Sequence, residues 1–85
     1  MVEADHQATF ESIRNILEVY NAEGIEITTS TRLMSDLNID SVAAMDLIME
    51  IEDRFEIDIP VNMVSDVETT QDLVRIVVAR LENRA

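Results

Sequence analysis

Ser41 has the most suggestive chemistry of any residue in this chain. It ends the segment LNIDS, residues 37–41, which leads from an acidic stretch into an apolar one. A nucleophilic serine needs a general base and a partner that orients the base. The sequence offers His6 alone as an imidazole and Gly24 alone as a glycine, so a glycine-rich nucleophile elbow is missing. We therefore expect no intrinsic catalysis and interpret His6 as a solvated residue.

A calcium site is the second chemistry that this region suggests. Asp36, Asn38 and Asp40 have the spacing of the first, third and fifth positions of an EF-hand loop. The match fails at the sixth position, where Ser41 replaces glycine, and at the twelfth, where Leu47 replaces a bidentate glutamate. The chain also lacks cysteine, which removes thiolate zinc sites and disulfides. No specific metal site is predicted, although the acids could attract divalent cations loosely.

Two interpretations of Ser41 remain. Serine is common at helix starts, so this residue could simply begin the helix that follows. Alternatively, another enzyme could modify it, because the free amides and the dipole of a helix amino terminus stabilise a phosphate ester. The surroundings of Ser41 argue against a purely structural role, because it follows an acidic loop, precedes a helix with apolar residues on two sides and lies in a chain that offers no other reactive group.

The stretch after Ser41 carries apolar residues on two sides of one predicted helix. At about 100° per residue, apolar positions in residues 42–55 fall into two separate stripes. The first, assigned to the core, comprises Ala44, Leu47, Ile48, Ile51 and Phe55. The second comprises Val42, Met45 and Met49, with Asp46, Glu52 and Asp53 between them. A small monomer needs one apolar side for its core, so the second stripe is predicted to bind a partner.

Negative charge is concentrated around this second stripe. The net charge is −12, from 18 acids and six arginines. Residues 36–58 hold eight of the acids and only Arg54 as a base. Such a surface repels nucleic acid and anionic lipid, and it attracts basic protein surfaces in a salt-sensitive way.

Apolar periodicity predicts an all-α fold, a small helical bundle of three longer helices plus one short helix. The first helix is predicted over residues 5–20 and the second from Asp40 or Ser41 to Phe55, with a long loop between them. Asp40 is expected to accept hydrogen bonds from the first turn of the second helix. With 85 residues and no linker or repeat, residues 1–85 are predicted to form a single domain.

The loop and the last helix have signals of their own. Gly24 is expected to stop the first helix, and five apolar residues of the loop are expected to reach the core: Ile25, Ile27, Leu33, Met34 and Leu37. Residues 61–67 are predicted to hold one short turn built on Met63 and Val64. Thr69 and Asp72 have a capping-box spacing, so the last helix is predicted to start there and to bury Leu73, Ile76, Val77 and Leu81.

Three motifs follow one another in the middle of the chain: DLNIDSV at residues 36–42, EDRF at residues 52–55 and IDIP at residues 57–60. Together they resemble the acyl carrier protein family in its stand-alone bacterial form. The resemblance covers nearly the whole chain, including the acidic middle and the Thr69-Thr70 helix start. In that family the serine of the Asp-Ser motif carries a 4′-phosphopantetheine arm, which a separate transferase adds from coenzyme A. The terminal thiol of the arm holds acyl groups as thioesters.

This resemblance implies a role for each residue that matches the family motif. Ser41 would be the attachment site and Asp40 its neighbour in the motif. The face that docks on partner enzymes would be formed by Val42, Met45, Asp46, Met49, Glu52 and Asp53. The partners would be a phosphopantetheinyl transferase and the acyl-transferring and synthase enzymes of fatty acid or specialised lipid or polyketide synthesis, each with a basic docking patch. The resemblance also implies a carrier rather than an enzyme.

Departures from the family pattern keep alternatives open. Asn38 stands where glycine is frequent, Val42 replaces the usual leucine and lysine is missing, so a specialised carrier is an option beside general fatty acid synthesis. A peptidyl carrier is a further alternative, although the glycine-rich approach to the serine that is common there is missing. The rival from another class is a small acidic module that binds basic proteins and is never modified.

The expected location is the cytoplasm. The first seven residues carry acids rather than bases, and no apolar stretch approaches the length of about 18 residues that spans a membrane. The absence of cysteine suits a reducing compartment. We expect a monomer that neither crosses a membrane nor binds nucleic acid.

Overall fold

Helices dominate residues 5–83, which are the residues that the computed structural model describes. Their bounds are α1 His6–Leu17, α2 Leu33–Leu37, α3 Ser41–Phe55, α4 Val61–Val64 and α5 Thr70–Asn83, with a 3₁₀ turn at Glu18–Tyr20 after α1. Within this part of the chain the β-type pairing is one isolated bridge, between Arg32 and Thr69. The predicted all-α fold class is confirmed, with three long helices. No helix in residues 5–83 is long and apolar enough to cross a membrane.

The core lies where α1 packs against α5 and α3. Its buried residues include Ile13, Ile16 and Leu17 of α1, Leu47, Ile48 and Ile51 of α3, and Leu73, Val74, Val77 and Val78 of α5. The core side predicted for α3 is confirmed, except that Ala44 in the first turns and Phe55 at the helix end are only half-buried. In α5, Val74 and Val78 are buried, whereas Ile76 and Leu81, which were predicted to be buried, are half-buried. Both sides of this helix are apolar, so apolar periodicity alone does not show which side faces the core.

Helix α2 is an element that the sequence did not predict. It lies in the long loop, and Leu33 and Leu37, four residues apart, both face the core. The prediction that Met34 is a core residue is wrong, because Met34 follows Leu33 by one position and therefore points outward, with 66% of its surface exposed. Ile27 of the same loop is buried as expected, and Ile25 is half-buried.

Two helices end at residues with left-handed backbones that are not glycine. Asn38 has φ 57° after α2, and Glu56 has φ 56° after α3. In both cases the amides that follow the helix turn back onto it: Ile39 N donates to Leu33 O at 3.0 Å, and Ile57 N donates to Glu52 O at 3.2 Å. This is the usual way to satisfy the last carbonyls of a helix, but a side chain in this conformation is strained.

The start of α5 is held by a capping box, as the sequence predicted. The Asp72 carboxylate accepts from the amides of Glu68 and Thr69 at 2.9 and 3.0 Å, and Asp72 N donates to Oγ1 of Thr69 at 3.2 Å. The loop before α2 is tied to the same point, since Thr70 N donates to Thr31 O at 3.0 Å. The capping box therefore secures both α5 and the loop.

Replacing Asp72 with alanine should destabilise the protein in a pH-dependent way. Hydrogen bonds from the amides of Glu68 and Thr69 lower the pKa of Asp72. Its stabilising effect is therefore complete above the pKa of an unfolded aspartate and is lost as the pH falls through the lower folded pKa. At pH 7 we expect a loss of about 1 kcal/mol, which for a domain of this size lowers Tm by about 4–8 °C. Thermal melts between pH 7 and pH 2 test this.

The exposed Asp66 provides the matched control for Asp72. Asp66→Ala removes the same charge outside the capping box, so its melts correct for relief of charge repulsion. An Asp72→Ala deficit that matches that of Asp66→Ala, or that persists unchanged at pH 2, would contradict the role assigned to the box.

Glu56→Gly should stabilise the protein by about 0.5–1 kcal/mol, because glycine adopts the left-handed conformation without steric strain. Denaturant unfolding measures this gain. Glu56→Ala is the control, since it removes the same carboxylate and keeps the Cβ atom; it should give no comparable gain. Equal stabilisation by both variants would assign the effect to charge instead of backbone strain.

Candidate functional site

Ser41 is the first residue of α3, and Asp40 is the cap that precedes it. Oδ1 of Asp40 accepts from Ala43 N at 2.8 Å, and the Asp40 carbonyl accepts from Ala44 N at 2.8 Å. Both groups of Asp40 are thus committed to starting the helix, as the sequence predicted for the carboxylate. Ser41 itself is exposed, so its hydroxyl lies in solvent beside the amino-terminal amides of a 15-residue helix.

The segment before Ser41 fixes where that hydroxyl lies. Asn38 reverses the chain after α2 through its left-handed backbone. Ile39 then enters the core, with 2% of its surface exposed. Asp40 caps α3 immediately afterwards. Asn38, Ile39 and Asp40 therefore each make a different structural contribution, and together they fix the position of Ser41.

A cavity of about 520 Å³ opens beside Ser41. Its floor is apolar and is formed by residues of four helices, α2 to α5, and of the loops between them: Leu33, Ile39, Leu47, Ile48, Val64, Val67 and Leu73. Exposed residues that line the same cavity, and therefore lie toward its mouth, are Arg32, Met34, Ser35, Asp40, Ser41, Met45, Val61, Ser65 and Glu68. An apolar group attached at Ser41 could enter this space and leave water.

The second stripe of α3 is exposed, as the sequence predicted. Val42 is 74% exposed, Met45 47% and Met49 61%. Asp46 and Asp53 are exposed on the same helix. Met34 and Val61 add two further exposed apolar side chains near the cavity. Sequence reasoning missed this extension, because it placed Met34 in the core and because residues 61–67 gave no sign of which side faces outward.

Glu52 differs from the other acids of the predicted docking face. It is half-buried, and its Oε2 accepts from the amide of Ile59 at 2.7 Å. Arg80 of α5 binds the same segment, since its Nε donates to the carbonyl of Asp58 at 2.9 Å. Glu52 is thus one of the acids of α3, and its carboxylate also fixes the segment that connects α3 to α4. No local sequence signal announces this contact, since Glu52 and Ile59 are seven residues apart across a helix end.

The acids of α3 affect the ionisation of Tyr20. Burial raises the pKa of this phenol, and the carboxylates of Glu50 and Asp46 raise it further. A negative potential therefore extends from this part of α3, as expected from the clustered acids. The effect is the one that would attract a basic partner surface.

The acids do not assemble a metal centre in the part of the chain that the structure describes. A second cavity, of about 490 Å³, is lined by Glu52, Asp53, Glu56, Ile57, Asp58, Arg80 and Asn83. Among residues 5–83, no group of three or more histidine, cysteine, aspartate or glutamate side chains could hold a metal ion. Of the carboxylates with EF-hand spacing, that of Asp36 accepts from Arg32 N at 2.8 Å and that of Asp40 caps α3.

Comparison with known proteins identifies the family. The family described as "Phosphopantetheine attachment site" matches residues 11–77. A "Probable acyl carrier protein" of Caulobacter vibrioides is 40% identical over 53 residues, which span 62% of each chain. An acyl carrier protein of Borreliella burgdorferi is 34% identical over 77 residues, 89% of this chain and 96% of that one.

A solved structure agrees at the level of the fold. The crystal structure of a Toxoplasma-specific mitochondrial acyl carrier protein superposes with a TM-score of 0.80, at 20% identity and over 94% of both chains. The family match spans residues 11–77, a range that includes Ser41. The chain belongs to the acyl carrier protein family, whose members are carriers of 4′-phosphopantetheine rather than enzymes.

Proposed function

We propose that Ser41 is the residue to which 4′-phosphopantetheine is attached, and that the protein presents acyl groups on this arm to successive enzymes. The observation that carries the proposal is the exposed Ser41 hydroxyl, which lies at the first position of α3 and at the mouth of an apolar cavity. The thiol of the arm holds the acyl group as a thioester. All other chemistry comes from partner enzymes.

The surroundings of Ser41 suit a phosphodiester. Among the first amides of α3, those of Ala43 and Ala44 donate to Asp40, whereas those of Ser41 and Val42 have no carbonyl partner within the helix. These amides and the helix dipole stabilise an added negative charge. Oδ1 of Asp40 accepts from the Ala43 amide, so this carboxylate supports the helix start next to the proposed ester.

The cavity suits the acyl group. Its apolar floor can shelter an aliphatic chain, while the exposed residues at its mouth leave the chain able to return to a partner enzyme. The floor removes apolar surface from water at a gain of about 0.8 kcal/mol for each buried CH₂. A sheltered chain of a few carbons is therefore stable in the cavity and still accessible.

Partner enzymes would dock on the exposed side of α3. We assign this docking face to Val42, Met45, Asp46, Met49, Glu52 and Asp53, and extend it by Met34 and Val61. Methionine side chains adapt to differently shaped partners, and the acids steer basic surfaces toward Ser41. The partners are a phosphopantetheinyl transferase and acyl-transferring or synthase enzymes with basic patches, in a cytoplasmic pathway of fatty acid or of specialised lipid or polyketide synthesis.

A mass measurement tests the attachment site. The protein is incubated with coenzyme A, magnesium and a broad-specificity phosphopantetheinyl transferase, and is then weighed by mass spectrometry. We expect a gain of one phosphopantetheine group, which Ser41→Ala abolishes without a large change in Tm.

Ser35→Ala provides the control for this measurement, because Ser35 is exposed and lines the same cavity. This variant should be modified like the unaltered chain. An unchanged mass of the unaltered chain, with an active control carrier in the same reaction, would overturn the proposal. That result would favour the rival function of an acidic module that is never modified.

A charge reversal tests the docking face. Asp46→Arg should lower kcat/KM of the transferase about tenfold, chiefly through KM, which corresponds to about 1.4 kcal/mol of lost docking energy. The loss should shrink as ionic strength rises, because salt screens the attraction in the unaltered chain. Glu82→Arg makes the same change in net charge at the end of α5 and should have little effect. Equal losses in both variants would show that overall charge, and not this face, governs docking.

A further inference from the structure

Arg32 lies at the edge of the Ser41 cavity, where the long loop meets the start of α5. Its backbone pairs with that of Thr69 in the isolated bridge, and the amide of the next residue, Leu33, donates to Glu68 O at 3.0 Å. These contacts join segments that are more than thirty residues apart in the sequence. The backbone of Arg32 is therefore fixed beside the cavity without help from its side chain.

The side chain of Arg32 is held only loosely. Its Nη1 lies 3.4 Å from Oε1 of Glu68, and the two side chains are 61% and 70% exposed. Ion pairs with this exposure contribute little to stability. Arg32 is also the single cation among the described residues that line the cavity. Its guanidinium can therefore leave Glu68 and donate hydrogen bonds to oxygens of a group that lies at the cavity mouth.

A thioester held in such a place is exposed to attack by amines. The nitrogen lone pair attacks the carbonyl carbon, a C–N bond forms, the C–S bond breaks, and the thiolate that leaves takes up the proton released by the nitrogen. Tethering makes this reaction intramolecular and raises the local concentration of the thioester to about millimolar or more. A lysine near the arm would therefore remove the acyl group permanently, as an amide.

Arginine supplies positive charge without this reaction. Its guanidinium stays protonated in proteins and has no free lone pair, whereas a lysine ammonium, with an ordinary pKa of about 10.4, is in equilibrium with a small fraction of the nucleophilic free amine. All six basic side chains counted as lysine or arginine in the sequence are arginines. At position 32 the choice has a direct consequence, because this cation lies at the cavity where the acyl group would be held.

We propose that Arg32 provides the positive charge at the mouth of the Ser41 cavity in a form that cannot accept the acyl group, so that a tethered thioester is not lost to the protein's own side chain at this position. The inference rests on the proposed function, since it needs a thioester tethered at Ser41. It adds a residue outside the Asp-Ser motif and the docking face.

The test compares Arg32→Lys with Arg54→Lys. Both variants keep the charge and introduce one side-chain amine, but Arg54 lies in the last turn of α3, about 20 Å from Ser41 at 1.5 Å per residue. A transferase loads each protein with a hexanoyl arm from hexanoyl-coenzyme A, and the products are kept at pH 8.5. Hydroxylamine then cleaves thioesters and leaves amides, and peptide mass mapping locates each amide.

We expect amide formation at the substituted position 32 to be about tenfold or more faster than at position 54, because only the former meets the thioester at close range. Any acylation of the α-amine should be the same in both proteins and serves as an internal reference. Equal rates at the two positions, or no amide at position 32, would overturn the inference. Thermal melts of both variants check that the fold is kept.

A second series separates this inference from the proposed function. Ser41→Cys creates a single thiol in a chain without cysteine, and a maleimide conjugate of hexanoyl-pantetheine then attaches the arm without a transferase. If the transferase fails to load Ser41, the proposed function falls, yet the comparison of positions 32 and 54 in the Ser41→Cys background still decides the inference. Faster amide formation at position 32 supports it there too, and equal rates overturn it.

Discussion

The reversal of the chain at Asn38 is the constraint on which the Ser41 end of the molecule depends. Helix α2 must end and α3 must begin within three residues, and a left-handed residue at φ 57° achieves this. Glycine adopts that conformation without strain, and asparagine tolerates it better than other residues with a side chain. The asparagine that departs from the family pattern therefore keeps the geometry that glycine provides. Ile39 in the core and Asp40 at the helix cap then leave Ser41 one position, exposed and at the helix start.

The walls of the cavity depend on contacts between distant segments. The bonds from Thr70 N to Thr31 O and from Leu33 N to Glu68 O join the long loop to α5, and the bond from Ile59 N to Glu52 joins the α4 side to α3. Each of these contacts satisfies a backbone amide, which would be costly to leave unpaired. The loop can therefore line one side of an open, apolar space and still remain ordered. The same contacts place Arg32 at the mouth.

Local signals explain what could be predicted from the sequence. Helix α3, its Asp40 cap and the capping box of Thr69 and Asp72 all depend on residues within four positions of each other, and all were predicted with their roles. The motif around Ser41 is likewise contiguous, so the amino-acid order alone is enough to recognise its family.

Most features that the sequence does not predict depend on contacts between residues far apart in the chain. Helix α2 is an exception, because its two leucines, four residues apart, are a local helical signal. The outward position of Met34 follows from that short helix. The bond between Glu52 and Ile59 and the cavity itself arise only when distant segments meet. For Asn38 a usable signal existed, because asparagine before a buried residue and a capping aspartate fits a left-handed helix end.

Helix α3 has to satisfy two requirements with one sequence, and this explains its composition. Leu47 and Ile51 on one side are buried and supply core energy, at about 1.5–3 kcal/mol for each large side chain. Val42, Met45 and Met49 on the other side keep about half or more of their surface exposed in the free protein, and this exposed apolar surface adds nothing to folding. The acids between them repel one another, which weakens a small domain, but they also keep an exposed apolar stripe from associating with other copies of the same charge. The helix therefore gives up stability on one side, and the fold can tolerate this because the caps at Asp40 and Asp72 and the packing of α1 against α5 do not depend on that side.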